Sequence, residues 1–166
     1  VINFGSGVSP TVLQTLKTLR EDGKIVIILS NASFGSADAV SKYAKKGMFK
    51  GVHYDDVVTS GQFGYEAIQR GDVPVPGTTM YVFGTANFKR PEDKLPDLFK
   101  DSVYSVTEDM EKADFAYCGV PQIHGEDRMD IDDFIPELEK IRKRNLEMVC
   151  ANPDLRATVS YTHLTL

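Results

Sequence analysis

Apolar side chains along this chain fall into short unbroken runs, separated by stretches in which they recur every three or four positions. The clearest run lies within residues 24–33. Ile25, Val26, Ile27, Ile28 and Leu29 succeed one another, and the sequence then turns abruptly polar at Ser30, Asn31 and Ser33. Five β-branched or aliphatic residues bounded by Gly23 and a polar cluster are too short for a buried helix. They predict a central parallel strand with helices on both faces, because a strand with one wet face would alternate. In open α/β sheets ligands sit beyond the carboxyl ends of the strands, which makes Ser30 the first candidate for a site residue.

The rest of the pattern repeats that theme. Residues 1–7 read as the end of a strand running into a Gly/Ser turn. Ser9-Pro10 then opens a helix with Ser9 as N-cap and a buried stripe of Val12, Leu13, Leu16 and Leu19, which Asp22-Gly23 stops. Strand, helix, strand is a βαβ unit. Ser36 is placed as the cap of a second helix with Val40, Tyr43 and Ala44 on one face, Lys42, Lys45 and Lys46 wet, and Gly47 at its end. A loop over residues 48–56 leads to the short strand Val57-Val58. Thr59-Ser60-Gly61 begins a helix carrying Phe63, Ala67 and Ile68 up to Gly71.

Residues 72–78, with Pro74, Pro76 and Gly77, read as a linker and a domain boundary. Beyond it come strands at 80–83, 103–106 and 114–118, a helical turn at Leu95, Leu98 and Phe99, a helix carrying Ile135, Leu138 and Ile141, and a last strand at 146–151 that ends in Asn152-Pro153-Asp154. Both halves therefore deliver a strand with a polar carboxyl tip, and two such tips across a cleft would make a site.

Composition narrows the function. With 42% hydrophobic and 26% charged residues over 166 positions, the chain is ordinary globular material. A net charge of -5 offers no basic stripe for nucleic acid. No stretch reaches the roughly 18 apolar residues of a membrane span, and the start lacks the regions of a signal peptide, so a cytoplasmic setting is expected. The absence of Met at position 1 reads as processing or as a fragment. Cys118 and Cys150 each sit in an apolar run and read as reduced core thiols. His124, Glu126, Asp127, Asp130, Asp132 and Asp133 lack the ligand spacing of a calcium loop and read as a solvated loop and helix start. Gly5-Ser6-Gly7 is half a phosphate-binding turn without the remainder of either nucleotide motif.

Ile28-Leu29-Ser30-Asn31-Ala32, Thr59-Ser60-Gly61 and Cys150-Ala151-Asn152-Pro153-Asp154, in that order and spacing, resemble the haloacid dehalogenase-like (HAD) hydrolases of subclass IIA, the nitrophenylphosphatase-like sugar and cofactor phosphatases. The resemblance spans roughly residues 1–156. It implies a partial Rossmann-like HAD core with a parallel sheet and flanking helices at 1–72, and an inserted α/β cap at 73–157. It further implies Mg²⁺-dependent hydrolysis of a small phosphorylated metabolite through an aspartyl-phosphate intermediate.

In that scheme Ser30 matches the hydroxyl that binds an oxygen of the transferring phosphoryl group. Asn31, Ala32, Asn152 and Asp154 fall where substrate contacts are made. The family's nucleophilic aspartate would fall before Val1, and its catalytic Lys and distal metal-binding Asp residues after the cap, so no metal ligand is assigned in this chain and the fragment itself is expected to be inactive. Residues 158–166 fit no element of the family and resemble a translated adaptor sequence, a non-native tail.

From the residues alone, other readings stand beside these. Ser30 and Asn31 would also serve as the polar start of a loop, Thr59-Ser60 as a helix cap, and Asn152-Pro153-Asp154 as an ordinary strand-ending turn. The rival function is a non-catalytic α/β binding or regulatory module. Oligomeric state, including a homo-oligomer, is left open.

Overall fold

Strand pairing sets the architecture. In the computed structural model, which describes residues 7–83, 97–119 and 131–152, the run at 24–33 yields a four-residue strand, β1 (Ile27–Ser30). It pairs in parallel with β2 (Asp56–Thr59), so that Ile28 lies opposite Val57 and Ser30 opposite Thr59. Parallel neighbours need a crossover connection. Here it carries α2 (Ser36–Ala44), while α1 (Pro10–Glu21) precedes β1 and α3 (Ser60–Arg70) follows β2 without a loop.

Beyond residues 72–78 lie β3 (Thr79–Val82), β4 (Ser105–Val106), β5 (Phe115–Cys118) and β6 (Met148–Cys150), with α4 (Ile135–Lys143) leading into β6. They form a second sheet in the order β4-β3-β5-β6, every neighbouring pair parallel. The expected α/β class with parallel sheets is what the chain adopts. The first expected strand lies outside the described residues, apart from Gly7.

The first sheet departs from expectation in how it is covered. Leu16 of α1, Ala39 and Tyr43 of α2, and Met48 and Tyr54 all pack on the side that carries Ile28 and Val57. The opposite side presents Leu29, 78% exposed, with Ile25, Ile27, Val58 and Phe63 also exposed. β1 is thus not covered on both faces, and its burial alternates after all. The physical reason is that α1 and α2 share one side of the sheet, while on the other Leu29 and Val58 line an open groove with Phe63 of α3. Phe63 thus borders that uncovered side, and Leu19 of α1, expected in a buried stripe, is also exposed.

The segment after α2 is more than a loop. Gly47 adopts φ 80°, a left-handed conformation that suits glycine, and the Met48 N–H returns to the Tyr43 carbonyl at 3.0 Å. That turn sends Met48 and then Tyr54 fully into the core, where the Tyr43 and Tyr54 rings meet edge-on at 6.1 Å. Asp55 ties the layers together by accepting from Arg20 Nη2 at 2.7 Å and the Val26 N–H at 2.8 Å, while Arg20 Nη1 also donates to the Gly51 carbonyl. The Arg20 hydrogen bond, with the Val26 N–H, holds the Asp55 carboxyl below the usual carboxylate range.

The second sheet is buried on both faces along β5. Phe115 and Tyr117 face Met80, Val82, Phe99 and Ile68, whereas Ala116 and Cys118 face Phe83, Phe134 and Ile141. The Phe99 ring, from a 3₁₀ turn at Asp97–Phe99, takes Tyr65, Tyr104 and Tyr117 edge-on at 4.9, 5.4 and 5.2 Å. Tyr65 and Ile68 belong to α3, so the helix that leaves the first sheet packs on the second. Asp114 accepts the N–H groups of Thr78 and Thr79 at 2.9 and 2.8 Å. The chain can come that close only because residue 77 is glycine, where a Cβ would meet the Asp114 carboxyl at 2.3 Å.

Two expected caps differ in detail. Ser9 occupies the N-cap of α1 and Gly35, not Ser36, that of α2, and neither N-cap makes a side-chain cap bond. Ser36 is the first residue of α2.

If the first sheet is one-sided, Ile28→Ala should cost about 2–5 kcal/mol, the scale of a large-to-small core substitution. Leu29→Ala, one residue on, should stay within about 0.5 kcal/mol, as for an exposed position. Urea denaturation of the two variants measures the contrast, and equal losses would mean that both faces are buried.

Candidate functional site

The carboxyl ends of β1 and β2 are adjacent in register, so Ser30 and Thr59 stand side by side. Their hydroxyls are put to different uses. Thr59 is fully buried; its Oγ1 donates to the Phe34 carbonyl at 2.7 Å and accepts the Gln62 N–H at 3.1 Å as the N-cap of α3. The Ser30 Oγ accepts the Ala32 N–H at 3.2 Å, a local turn that fixes the oxygen and leaves its O–H proton directed by whatever acceptor approaches.

Ser60, the first residue of α3, makes the junction. Its Oγ lies 2.8 Å from the Asn31 carbonyl, 3.0 Å from that of Ala32 and 2.6 Å from that of Ala151. One hydroxyl proton serves one acceptor at a time, and Ala151 offers the shortest contact. Because Ala151 follows β6 directly, this bond joins the tip of the first sheet to the tip of the second. The neighbouring Gly61 N–H donates to the Ala32 carbonyl at 3.0 Å. A Cβ at Gly61 would sit 2.1 Å from the Ser33 carbonyl oxygen, so the start of α3 can lie against the loop after β1 only without a side chain there.

Two grooves open from this tip and share Ser30 and Asn31. One, of about 300 Å³, is walled by Leu29, Val58, Thr59, Ser60 and Phe63. The other, of about 410 Å³, runs along α2 past Phe34, Tyr43, Lys42, Lys45 and Lys46. The Lys42 ammonium rests 3.3 Å above the centre of the Phe34 ring, a cation–π contact that holds it at the groove. The second groove therefore has a cationic wall in a chain of net charge -5. Neither groove is lined by a carboxylate, and no group of three His, Cys, Asp or Glu side chains that could hold a metal ion occurs among the described residues. A hard cation such as Mg²⁺ needs several oxygen ligands to offset its dehydration, so the described residues do not by themselves fit that ion.

The structure thus brings Ser30, Asn31 and Ala32 together, with the half-buried Asn152 one residue beyond the Ser60-bonded Ala151. Asp154 lies outside the described residues, as do His124, Glu126, Asp127, Asp130 and the tail at 158–166. In the sequence Ser60 reads only as part of a helix start. Its link to Ala151 spans 91 positions and has no local signature, although the Ser-Gly pair at the start of α3 marks a close approach of backbone.

A family model described as haloacid dehalogenase-like hydrolase matches residues 1–95, more than half of the chain. The chain belongs to the haloacid dehalogenase-like hydrolases. Among solved structures, a HAD-family hydrolase from Brucella suis 1330 superposes with a TM-score of 0.77 at 22% identity, over 96% of this chain and 53% of that one. A possible sugar phosphatase of the HAD superfamily from Cytophaga hutchinsonii ATCC 33406 gives 0.67 at 20%, over 98% and 55%. At such identities the likeness establishes the HAD fold, and the chain spans about half the length of these structures. No curated protein matches the sequence.

The tight contact at Gly61 separates two glycines of the same helix. Gly64, around which a Cβ would meet nothing within 4 Å, should gain about 0.5–1 kcal/mol on substitution by Ala through helix propensity. Gly61→Ala earns the same propensity but must displace backbone, and should lose about 2–3 kcal/mol net. Denaturation midpoints of the two variants report the signs, and a stabilised Gly61→Ala would show that α3 does not abut the loop.

Proposed function

We propose that this chain is part of a Mg²⁺-dependent HAD phosphatase of subclass IIA, in which residues 1–72 contribute to the core and residues 73–157 form the α/β cap. The parent protein hydrolyses a small phosphorylated metabolite in the cytoplasm. The observation that carries this reading is the Ser30 hydroxyl, fixed by the Ala32 N–H at a strand tip between two grooves, one of them lined by lysines. A phosphoryl group carries charge on its equatorial oxygens, and a positioned hydroxyl with cations nearby supplies hydrogen bonding and charge neutralisation to it.

In this reading Ser30 donates to a phosphoryl oxygen, and Asn31, Ala32, Asn152 and Asp154 border the substrate. The Ala32 N–H is already engaged by Ser30, so its part is to hold that oxygen in place. Among the described residues no carboxylate lines either groove, so the covalent step is assigned to an aspartate of the parent, and the carboxylates that would hold magnesium there, where the ion would neutralise charge, are not among the residues of this tip. The same lack of a carboxylate favours the second reading, a non-catalytic α/β ligand-binding module.

Steady-state hydrolysis of phosphate esters separates the two. The parent should turn over with Mg²⁺ and the 166-residue chain should not. Ser30→Ala in the parent should lower kcat by about 10²-fold, the loss typical of one preorganised donor, with the fold intact. A parent unaffected by Ala at position 30, or metal-dependent turnover by the chain alone, would contradict the assignment, and an inactive parent that still binds phosphate esters would support the binding module.

A further inference from the structure

Cys118 and Cys150 are 32 positions apart in sequence and directly opposed in space, as register partners across β5 and β6. Neighbouring strands lie about 4.7–4.9 Å apart. That spacing falls within the roughly 4.4–6.8 Å between Cα atoms that a disulfide spans. Paired residues of neighbouring strands project to the same face, and Cys150 is near enough to add to the rise in the Cys118 thiol's pKa. Both are free thiols, and their surroundings differ. Cys118 is 6% exposed among Phe83, Phe134 and Ile141, whereas Cys150 is exposed and its S–H donates to the Asn152 carbonyl at 3.0 Å. One thiol is open to a reagent, and the other stands behind it.

We propose that Cys118 and Cys150 form a thiol–disulfide exchange site that takes a small-molecule disulfide of the glutathione class and closes an intramolecular bridge across the carboxyl ends of β5 and β6. The Cys150 thiolate attacks one sulfur of the small disulfide, whose S–S bond breaks to release one thiolate and leave a mixed disulfide on Cys150. Cys118 then gives its proton to solvent and attacks Cys150 Sγ, expelling the second small thiolate. Two protein thiols are oxidised and one small disulfide is reduced to two thiols.

The order follows from the environment. Burial, with the neighbouring Cys150 adding to it, pushes the Cys118 thiol up to about 12, so Cys118 stays protonated at neutral pH and the accessible partner reacts first. Bridge formation removes the S–H that the Asn152 carbonyl accepts. It also pins β6 to β5 one residue before Ala151, whose carbonyl receives the Ser60 hydroxyl. The exchange site therefore borders the tip at which the two sheets meet.

Incubating the native 166-residue chain with oxidised glutathione, then digesting it without reduction and mapping peptides by mass spectrometry, tests the assignment. The expected product is monomeric, lighter by two hydrogen atoms, free of glutathione, and contains a 118–150 linked peptide that dithiothreitol dissolves. Cys118→Ala should instead accumulate glutathione on Cys150, while mapping of the unaltered chain stands whether or not that variant folds. A stable glutathione adduct on Cys150 of the unaltered chain, disulfide-linked dimers as the main product, or no reaction at all would overturn the proposal.

Discussion

The arrangement turns on a contact in which backbone meets backbone. Gly61 brings the start of α3 against the Ser33 carbonyl with no room for a side chain, and this close approach carries the Ser60 hydroxyl to within hydrogen-bond reach of Asn31, Ala32 and Ala151. Two consequences follow. The loop that begins at Asn31, directly after Ser30, is braced from below by a helix terminus. The second sheet is also anchored to the first at its carboxyl end, while the other face of α3, through Tyr65 and Ile68, packs on that sheet's aromatic cluster. The helix is fixed to one sheet by its first turn and to the other by its apolar side.

That bracing bears on what the tip can do. A hydroxyl held by a neighbouring N–H, with ammonium groups along one groove, suits recognition of an anion whose charge is spread over several oxygens. Among the described residues neither groove is lined by a carboxylate that could serve covalent chemistry or a hard metal ion. Under the proposed function the part of this tip is positioning, and the chemistry depends on groups delivered to it.

Much of this was legible in the sequence, because local pattern sets local structure. The break from Leu29 to Ser30 marked the end of β1, Thr59-Ser60-Gly61 marked the start of α3, and Gly71, in the left-handed conformation at φ 76°, marked its end. What the sequence hid was non-local. An unbroken apolar run looks the same whether one face or two are covered, so the exposure of Leu29 and Phe63 could not be read from it. Met48 and Tyr54 follow a helix end and show no period, yet the turn at Gly47 buries them. The pairing of Cys118 with Cys150 and the bond from Ser60 to Ala151 depend on strand register, which no short window contains.

Amide hydrogen exchange in a Ser60→Ala variant tests most directly whether the junction couples the two sheets. The Gly61 N–H, bonded to the Ala32 carbonyl, reports the first tip; the Ala151 N–H, bonded to the Cys118 carbonyl at 2.8 Å, reports the second. Loss of a hydrogen bond with a net worth of about 1 kcal/mol should speed exchange at both amides by roughly fivefold. Acceleration at Gly61 with Ala151 unchanged would show that Ser60 serves only its own helix and that the two tips are independent.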